Sequence, residues 1–150
     1  MNAAPTLSVK LNTVTDDTPV LRIQGLTRRY RADREPVLDG LDFTLYRGEY
    51  VAIMGESGVG KSTLLNLLAG LDRADGGRIE FEGQDLAALD DDALTLLRRQ
   101  RMGFVFQAFH LVPALTALEN VSLPLELAGR ADARRLALAT LDRVGLSART

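Results

Sequence analysis

A glycine-rich run at residues 55–63 has the residue types and spacing needed to bind phosphate. It fits the pattern G-x-x-x-x-G-K-[ST], in which backbone amides converge on phosphate oxygens. The lysine of this pattern reaches the outer phosphates, and the hydroxyl after it can ligate Mg²⁺. The candidate phosphate-binding residues are Gly55, Glu56, Ser57, Gly58, Val59, Gly60, Lys61, Ser62 and Thr63.

The segments on both sides of this run are those that a phosphate-binding loop requires. Residues 51–54 are continuously apolar and predict a strand buried on both faces, and residues 64–69 predict a buried helix. A helix that begins at the loop adds its partial positive charge to the site. The competing interpretation is an ordinary glycine-rich turn capped by Ser62, which the strand–loop–helix order disfavours.

The composition is typical of a soluble globular domain. The chain has 150 residues, is 46% hydrophobic and 25% charged, and carries a formal net charge of -2, which gives no bulk attraction to nucleic acid. It has no cysteine, so a disulfide scaffold is excluded, and it has no apolar run long enough to span a bilayer. Residues 1–19 predict a flexible leader without the features of a secretory signal, and the chain is therefore expected to be cytoplasmic.

Hydrophobic periodicity predicts the other elements. Residues 20–26, 41–45 and 78–81 alternate in polarity, as half-buried strands do, whereas residues 102–106 are continuously apolar and predict a buried strand. Together these patterns predict an α/β fold, in which an antiparallel β subdomain stands beside a core with a parallel sheet.

Helix-capping patterns predict three helices in the second half of the chain. The first opens with acids at residues 90–92 and ends in arginines by residue 101, which suits the helix dipole. The second starts with a capping box, Thr116 and Glu119, and runs to about residue 127, with Pro124 expected to kink or split it. The last places Ala133, Leu136, Ala137, Leu141 and Val144 on one face.

Several stretches together resemble the ATP-binding subunit of ABC transporters, in the subgroup that serves lipoprotein release, macrolide-type export and cell division. The resemblance covers about residues 21–146 and is carried by residues 55–63, 64–72, 103–107, 111–113 and 118–121. It implies a P-loop NTPase core with an N-terminal antiparallel β subdomain and the start of a helical subdomain. Residues 20–150 would then be the N-terminal part of the domain, with the helical subdomain beginning at about residue 108.

The resemblance also implies roles for single residues. Tyr30 resembles the aromatic residue that stacks on adenine, although a surface tyrosine at a strand end is an alternative. Gln107 resembles the glutamine that ligates Mg²⁺ and senses the membrane partner, and with Lys61 it would serve hydrolysis. His110 is more typical of a surface or interface residue than of a catalytic base. Val59 departs from the smaller residue usual in the family, which should not prevent binding through the backbone.

The family's Leu-Ser-Gly-Gly-Gln signature, its apolar strand ending in Asp-Glu and its switch histidine do not occur in these 150 residues. The chain is therefore expected to be an N-terminal piece that binds ATP and Mg²⁺ weakly, hydrolyses poorly and folds marginally. By resemblance its partners are a transmembrane permease subunit and a second ATP-binding subunit, at the inner face of the plasma membrane, and not nucleic acid. The alternatives are a non-transport P-loop NTPase or a non-catalytic nucleotide-binding module; a GTPase is disfavoured because Asn-Lys-x-Asp is missing.

Overall fold

The computed structural model describes residues 18–108 and 110–149, so most of the predicted leader lies outside the described residues. The described chain divides into two compact units, with the boundary between Gly103 and Phe104. Each has its own cluster of buried apolar side chains. None of the helices in residues 18–108 and 110–149 has the length and hydrophobicity of a membrane span.

The first unit contains a four-stranded antiparallel sheet in the order β2-β1-β3-β4. Its strands are β1 (Pro19–Arg28), β2 (Leu38–Tyr46), β3 (Gly76–Phe81) and β4 (Gln84–Asp85). The three longer strands include the alternating segments predicted from the sequence, which are confirmed. Alternation identifies such strands because successive side chains point to opposite faces, one of which is buried.

The phosphate-loop helix packs on this sheet. Helix α1 (Lys61–Leu68) follows the loop, and its Leu64 and Leu67 join the core formed with Ile23 and Leu26 of β1. The prediction of a helix is confirmed. The prediction that it is buried all round is wrong, because Leu65 is 55% exposed.

The segment before the loop differs from its prediction. Residues 51–53 form no strand in the structure, and Met54 makes only an isolated bridge. Residues 51–53 are half-buried, whereas Tyr50 and Met54 are exposed. The segment therefore has the apolar composition of a central parallel strand without forming a hydrogen-bonded ladder, the interaction that defines a strand.

Helix α2 (Asp91–Arg101) completes the described part of the first unit. Asp90 caps it by accepting a hydrogen bond from the Ala93 amide at 2.8 Å, as the acidic start of this segment predicts. Leu94 is buried in the sheet core. The predicted buried strand at residues 102–106 is wrong: these residues form no strand, and Phe104, Val105 and Phe106 are exposed.

The second unit is a helical pair, α3 (Ala117–Leu127) and α4 (Ala133–Arg143), followed by a 3-10 turn, Ser147–Arg149. The capping box of Thr116 and Glu119 is present, as predicted. Pro124 does not split α3, which continues for another three residues to Leu127. The unit's core is formed by Leu118 from α3 and by Ala137 and Leu141 from α4; Val144, predicted on the apolar face of α4, is exposed.

Candidate phosphate-binding site

The loop that precedes α1 leaves the first backbone amides of the helix without a side-chain cap. Gly60 occupies the position before the helix with φ 103°, a conformation that side chains disfavour. Because glycine has no side chain to cap the helix, the first-turn amides from Lys61 onward remain available to a ligand. No acid lies in the first turn to neutralise the helix dipole. This end of α1 therefore favours an anion.

At two positions of the loop, neighbouring side chains lie so close to the backbone that only glycine fits. A Cβ atom on Gly55 would lie 2.8 Å from Cγ1 of Val59, and one on Gly60 would lie 2.8 Å from Cγ1 of Val37. Gly58 has φ 84° but open space around it. The loop thus closes on itself through Gly55 and Val59, and it packs against the chain before β2 through Gly60.

Lys61 folds back over the loop. Its ammonium donates hydrogen bonds to the carbonyl oxygens of Gly55 at 2.8 Å and Glu56 at 2.6 Å. These bonds hold a positive charge over the first residues of the loop. Neutral carbonyls are weaker partners for an ammonium than an anion is, so phosphate oxygens can replace them.

The other loop residues form a backbone turn and include two exposed serines. The Glu56 carbonyl accepts a hydrogen bond from the Val59 amide at 3.4 Å, which turns the chain between them. Ser57 and Ser62 are exposed, and Thr63 is half-buried on the first turn of α1. The Ser62 hydroxyl is thus accessible to a ligand.

Tyr30, the predicted adenine-stacking residue, lies beside this loop helix. Its hydroxyl oxygen is 2.9 Å from Oδ2 of Asp72 and 3.4 Å from Oγ1 of Thr63. The side chain is 54% exposed, and the guanidinium carbon of Arg28 lies 4.6 Å from the ring centroid. The structure therefore brings Tyr30 to the helix that carries the phosphate loop.

Asp72 is the residue in this neighbourhood to which the sequence assigned no role. Its Oδ1 accepts hydrogen bonds from Nη2 of Arg28 and from the Arg73 amide, both at 2.8 Å. Burial alone would raise the pKa of the Asp72 carboxyl, but the hydrogen bonds from Arg73 and Tyr30 and the charge of Arg28 outweigh it, so the pKa is lowered. The group is an anchored carboxylate at neutral pH.

Gln107 belongs to the second unit, where it lies exposed at a bend. His110, in the same unit, has φ 47° and its ring centroid is 4.7 Å from that of Phe106. Neither residue is within the first unit, which contains the loop and Tyr30.

The start of α1 fits a magnesium ion that is bound together with a nucleotide. In the described part of the chain, no group of three histidine, aspartate or glutamate side chains could hold a metal alone. Ser62 offers a neutral hydroxyl oxygen, which Mg²⁺ accepts when phosphate oxygens and water complete its shell. The exposed Ser62 hydroxyl at the start of α1 is compatible with that arrangement.

A G-x-x-x-x-G-K-[ST] loop that opens a helix is the arrangement of a P-loop protein, and here the helix packs on an antiparallel β subdomain. The family described as ABC transporter matches residues 38–150, three quarters of the chain. The chain belongs to the ABC transporter family.

Similar proteins with assigned functions support this family membership. The lipoprotein-releasing system ATP-binding protein LolD of Anaeromyxobacter dehalogenans is 50% identical over 136 residues, covering 87% of this chain and 57% of LolD. The macrolide export ATP-binding/permease protein MacB of Shigella flexneri is 47% identical, and the match covers 89% of this chain and 21% of MacB. The pyoverdine export protein PvdT of Pseudomonas syringae is 46% identical with the same two coverages. The chain thus spans a little over half of LolD and about a fifth of the two fusion proteins.

A solved structure supports the fold. The ATP-binding cassette MJ0796, described as a dimer in a post-hydrolysis state bound to ADP and Pi, superposes with a TM-score of 0.73 at 40% identity, covering 81% of this chain and 56% of that one. The predicted α/β class is confirmed, as is the predicted part of an ABC cassette with its antiparallel subdomain and the start of its helical subdomain.

Proposed function

We propose that residues 55–63 bind the phosphates of Mg·ATP and that Tyr30 stacks on the adenine. The single observation that carries the proposal is the position of Lys61, whose ammonium lies over the loop at 2.8 Å and 2.6 Å from two loop carbonyls. The uncapped amides that open α1 add donors to the same place.

Each loop residue has a distinct task. The backbone amides from Gly58 to Lys61 bind and orient the phosphate chain, because glycine lets the backbone approach it closely. Lys61 moves from the loop carbonyls to the phosphate oxygens, where it neutralises charge. Ser62 would hold Mg²⁺ through its hydroxyl, and the family resemblance makes the amide oxygen of Gln107 a second proposed ligand. The ion would supply positive charge to the phosphates.

We further propose that the chain works as the ATP-binding part of a transporter. LolD, MacB and PvdT are named for lipoprotein release, macrolide export and pyoverdine export. By analogy, ATP binding and hydrolysis would drive export or extraction through a transmembrane permease partner, at the cytoplasmic face of the membrane. The dimeric MJ0796 cassette supports a second ATP-binding subunit as a further partner.

Hydrolysis by these 150 residues alone should be slow. Phosphoryl transfer needs a positioned water and carboxylates around the metal, and no apolar run of this sequence ends in Asp-Glu. The loop can therefore bind the nucleotide, while the groups that orient the attacking water are not among the residues of this chain.

Isothermal titration calorimetry with Mg·ATP tests the binding proposal. Lys61→Ala should weaken binding about 10- to 100-fold, the usual effect of removing a charged hydrogen-bond donor. The chain's only other lysine, Lys10, gives a matched control, because Lys10→Ala removes the same charge outside the loop. Equal ATP affinity of the parent and Lys61→Ala would contradict the binding proposal. ATP turnover by the 150-residue parent at a rate typical of enzymes, about 1–100 per second, would contradict the expectation of slow hydrolysis.

A further inference from the structure

We propose that Asp72 is a positioning residue that orients the Tyr30 ring beside the phosphate loop and so determines affinity for the base of the nucleotide. The inference rests on the proposed role of Tyr30 as the adenine platform. It assigns a task to a carboxylate that lies outside the loop motif, at the turn that follows α1.

The tether acts at the tip of the side chain. Tyr30 follows the end of β1 and is 54% exposed, so packing alone does not fix its two side-chain torsions. The hydroxyl, 2.9 Å from Oδ2 of Asp72, is the atom farthest from the backbone. A hydrogen bond at that point restricts both torsions together, so the ring loses less freedom when a base binds.

The anchor itself is rigid. Both oxygens of Asp72 are engaged: Oδ1 by Arg28 and by the Arg73 amide, and Oδ2 by Tyr30. The lowered pKa of this carboxyl keeps it charged, which strengthens each of these bonds. A carboxylate held by a salt bridge and a backbone amide does not follow the ring's motion but limits it.

Thr63 connects the same ring to the phosphate loop. Its Oγ1 lies 3.4 Å from the Tyr30 hydroxyl oxygen, and it stands on the first turn of α1, three residues after Gly60. The base platform and the phosphate-binding turn are therefore joined through one hydroxyl. A ligand that has both a base and phosphates uses this connection, whereas a ligand with phosphates alone does not.

Arg28 restricts the ring further. Its guanidinium carbon is 4.6 Å from the ring centroid, a cation–π distance, and its Nη2 is 2.8 Å from Asp72. One face of the Tyr30 ring is thus covered, and a base has the opposite face on which to stack. Asp72 therefore also determines which face of the Tyr30 ring is open to the base, because it holds the Arg28 guanidinium in place.

The test compares Mg·ATP with magnesium tripolyphosphate, which has the phosphates without the base, by calorimetry on the 150-residue chain. Tyr30→Phe removes the hydroxyl and keeps the ring. Asp72→Asn removes the negative charge, so the amide can make only a neutral and weaker hydrogen bond to the Tyr30 hydroxyl. Each should weaken ATP about 3- to 10-fold, the effect of one lost hydrogen bond, with tripolyphosphate unchanged within about twofold. The double variant should lose little more than either single one, because both break the same link.

Asp75→Asn is the matched control. Asp75 also binds Arg28, at 3.1 Å, and the Arg29 amide, at 2.6 Å, but it makes no hydrogen bond to Tyr30 in the described structure. This variant weakens the support of Arg28 while the tether at the ring's tip remains. It should bind ATP like the parent.

The outcomes separate the inference from the function on which it rests. If Tyr30→Ala binds ATP as the parent does, the adenine-stacking role fails and the inference fails with it. If Tyr30→Ala weakens ATP but Tyr30→Phe and Asp72→Asn do not, only the inference is overturned. An Asp72→Asn loss that is equal for ATP and tripolyphosphate also overturns it, since the carboxylate would then act on the fold. Should Asp72→Asn fail to fold by circular dichroism, Tyr30→Phe decides.

Discussion

Gly60 shows how closely the binding loop depends on one backbone conformation. Its φ is 103°, and a Cβ atom there would lie 2.8 Å from Cγ1 and 3.1 Å from the carbonyl oxygen of Val37. Gly60→Ala therefore combines backbone strain with overpacking, and we expect it to lower the free energy of unfolding by about 2–4 kcal/mol. Urea unfolding followed by circular dichroism measures the change, and calorimetry should show that ATP affinity falls as well.

Gly48 allows the cost of backbone strain to be separated from the cost of overpacking. It also has a positive φ, 83°, but a Cβ atom there meets nothing within 4 Å. Gly48→Ala should cost about 1 kcal/mol, from strain alone, and leave ATP affinity unchanged. If both variants lose the same stability, the contact with Val37 is not the reason for a glycine at position 60.

Only some residues of the candidate site can be predicted from the sequence. The loop at residues 55–63 could be predicted because its chemistry depends on local spacing. Asp72 could not, because its partner Tyr30 is 42 positions away and only the folded chain brings the two side chains together. A carboxylate near a glycine turn has many explanations, and its hydrogen-bond partners decide between them.

Among the secondary-structure elements, the predictions succeeded where the determinants are local. Alternation predicted β1 and β2, and the capping residues Asp90 and Thr116 predicted the starts of α2 and α3. The strand predictions at residues 51–54 and 102–106 failed. A continuous apolar run indicates that a segment should be buried, but it does not specify the strands that pair with it.

The capping box of α3 makes stability depend on pH. Hydrogen bonding from the Thr116 backbone amide, 2.7 Å from Oε2 of Glu119, lowers the pKa of the Glu119 carboxyl. A lowered folded-state pKa gives stability that is present above the unfolded value, about 4.3, and is lost as the pH falls through the folded one. Glu119→Gln should therefore lower the melting temperature at pH 7, and the difference from the parent should shrink below about pH 4.

Circular dichroism melts across this pH range make the measurement. Glu126→Gln removes a charge from the same helix away from its cap, so it controls for net charge. A gap between parent and Glu119→Gln that stays constant down to pH 2.5 would show that the cap does not depend on the ionised carboxylate.

At the scale of the whole molecule, the second unit buries few of its apolar side chains, which should lower the solubility of the chain. The second unit has a small core, Leu118, Ala137 and Leu141 with Val121 against it. Many of its large apolar side chains are exposed instead. They are Phe104, Val105, Phe106, Leu111, Val112, Leu127, Leu138, Val144 and Leu146.

The purified chain should therefore bind the dye anilinonaphthalene sulfonate under native conditions, because the dye reports accessible apolar surface. The Phe104 and Phe106 rings stack with centroids 5.8 Å apart, and Val105 between them is fully exposed. Val105→Ser with Phe106→Ser should lower the dye fluorescence and the tendency to self-associate in light scattering, with little loss of stability, since neither side chain is buried. Leu127→Ser is the control, because that leucine is also exposed but lies at the end of α3, away from the aromatic pair in the sequence. Equal effects of the two changes would mean that the dye senses general loosening of the chain, not the apolar segment around residues 104–106.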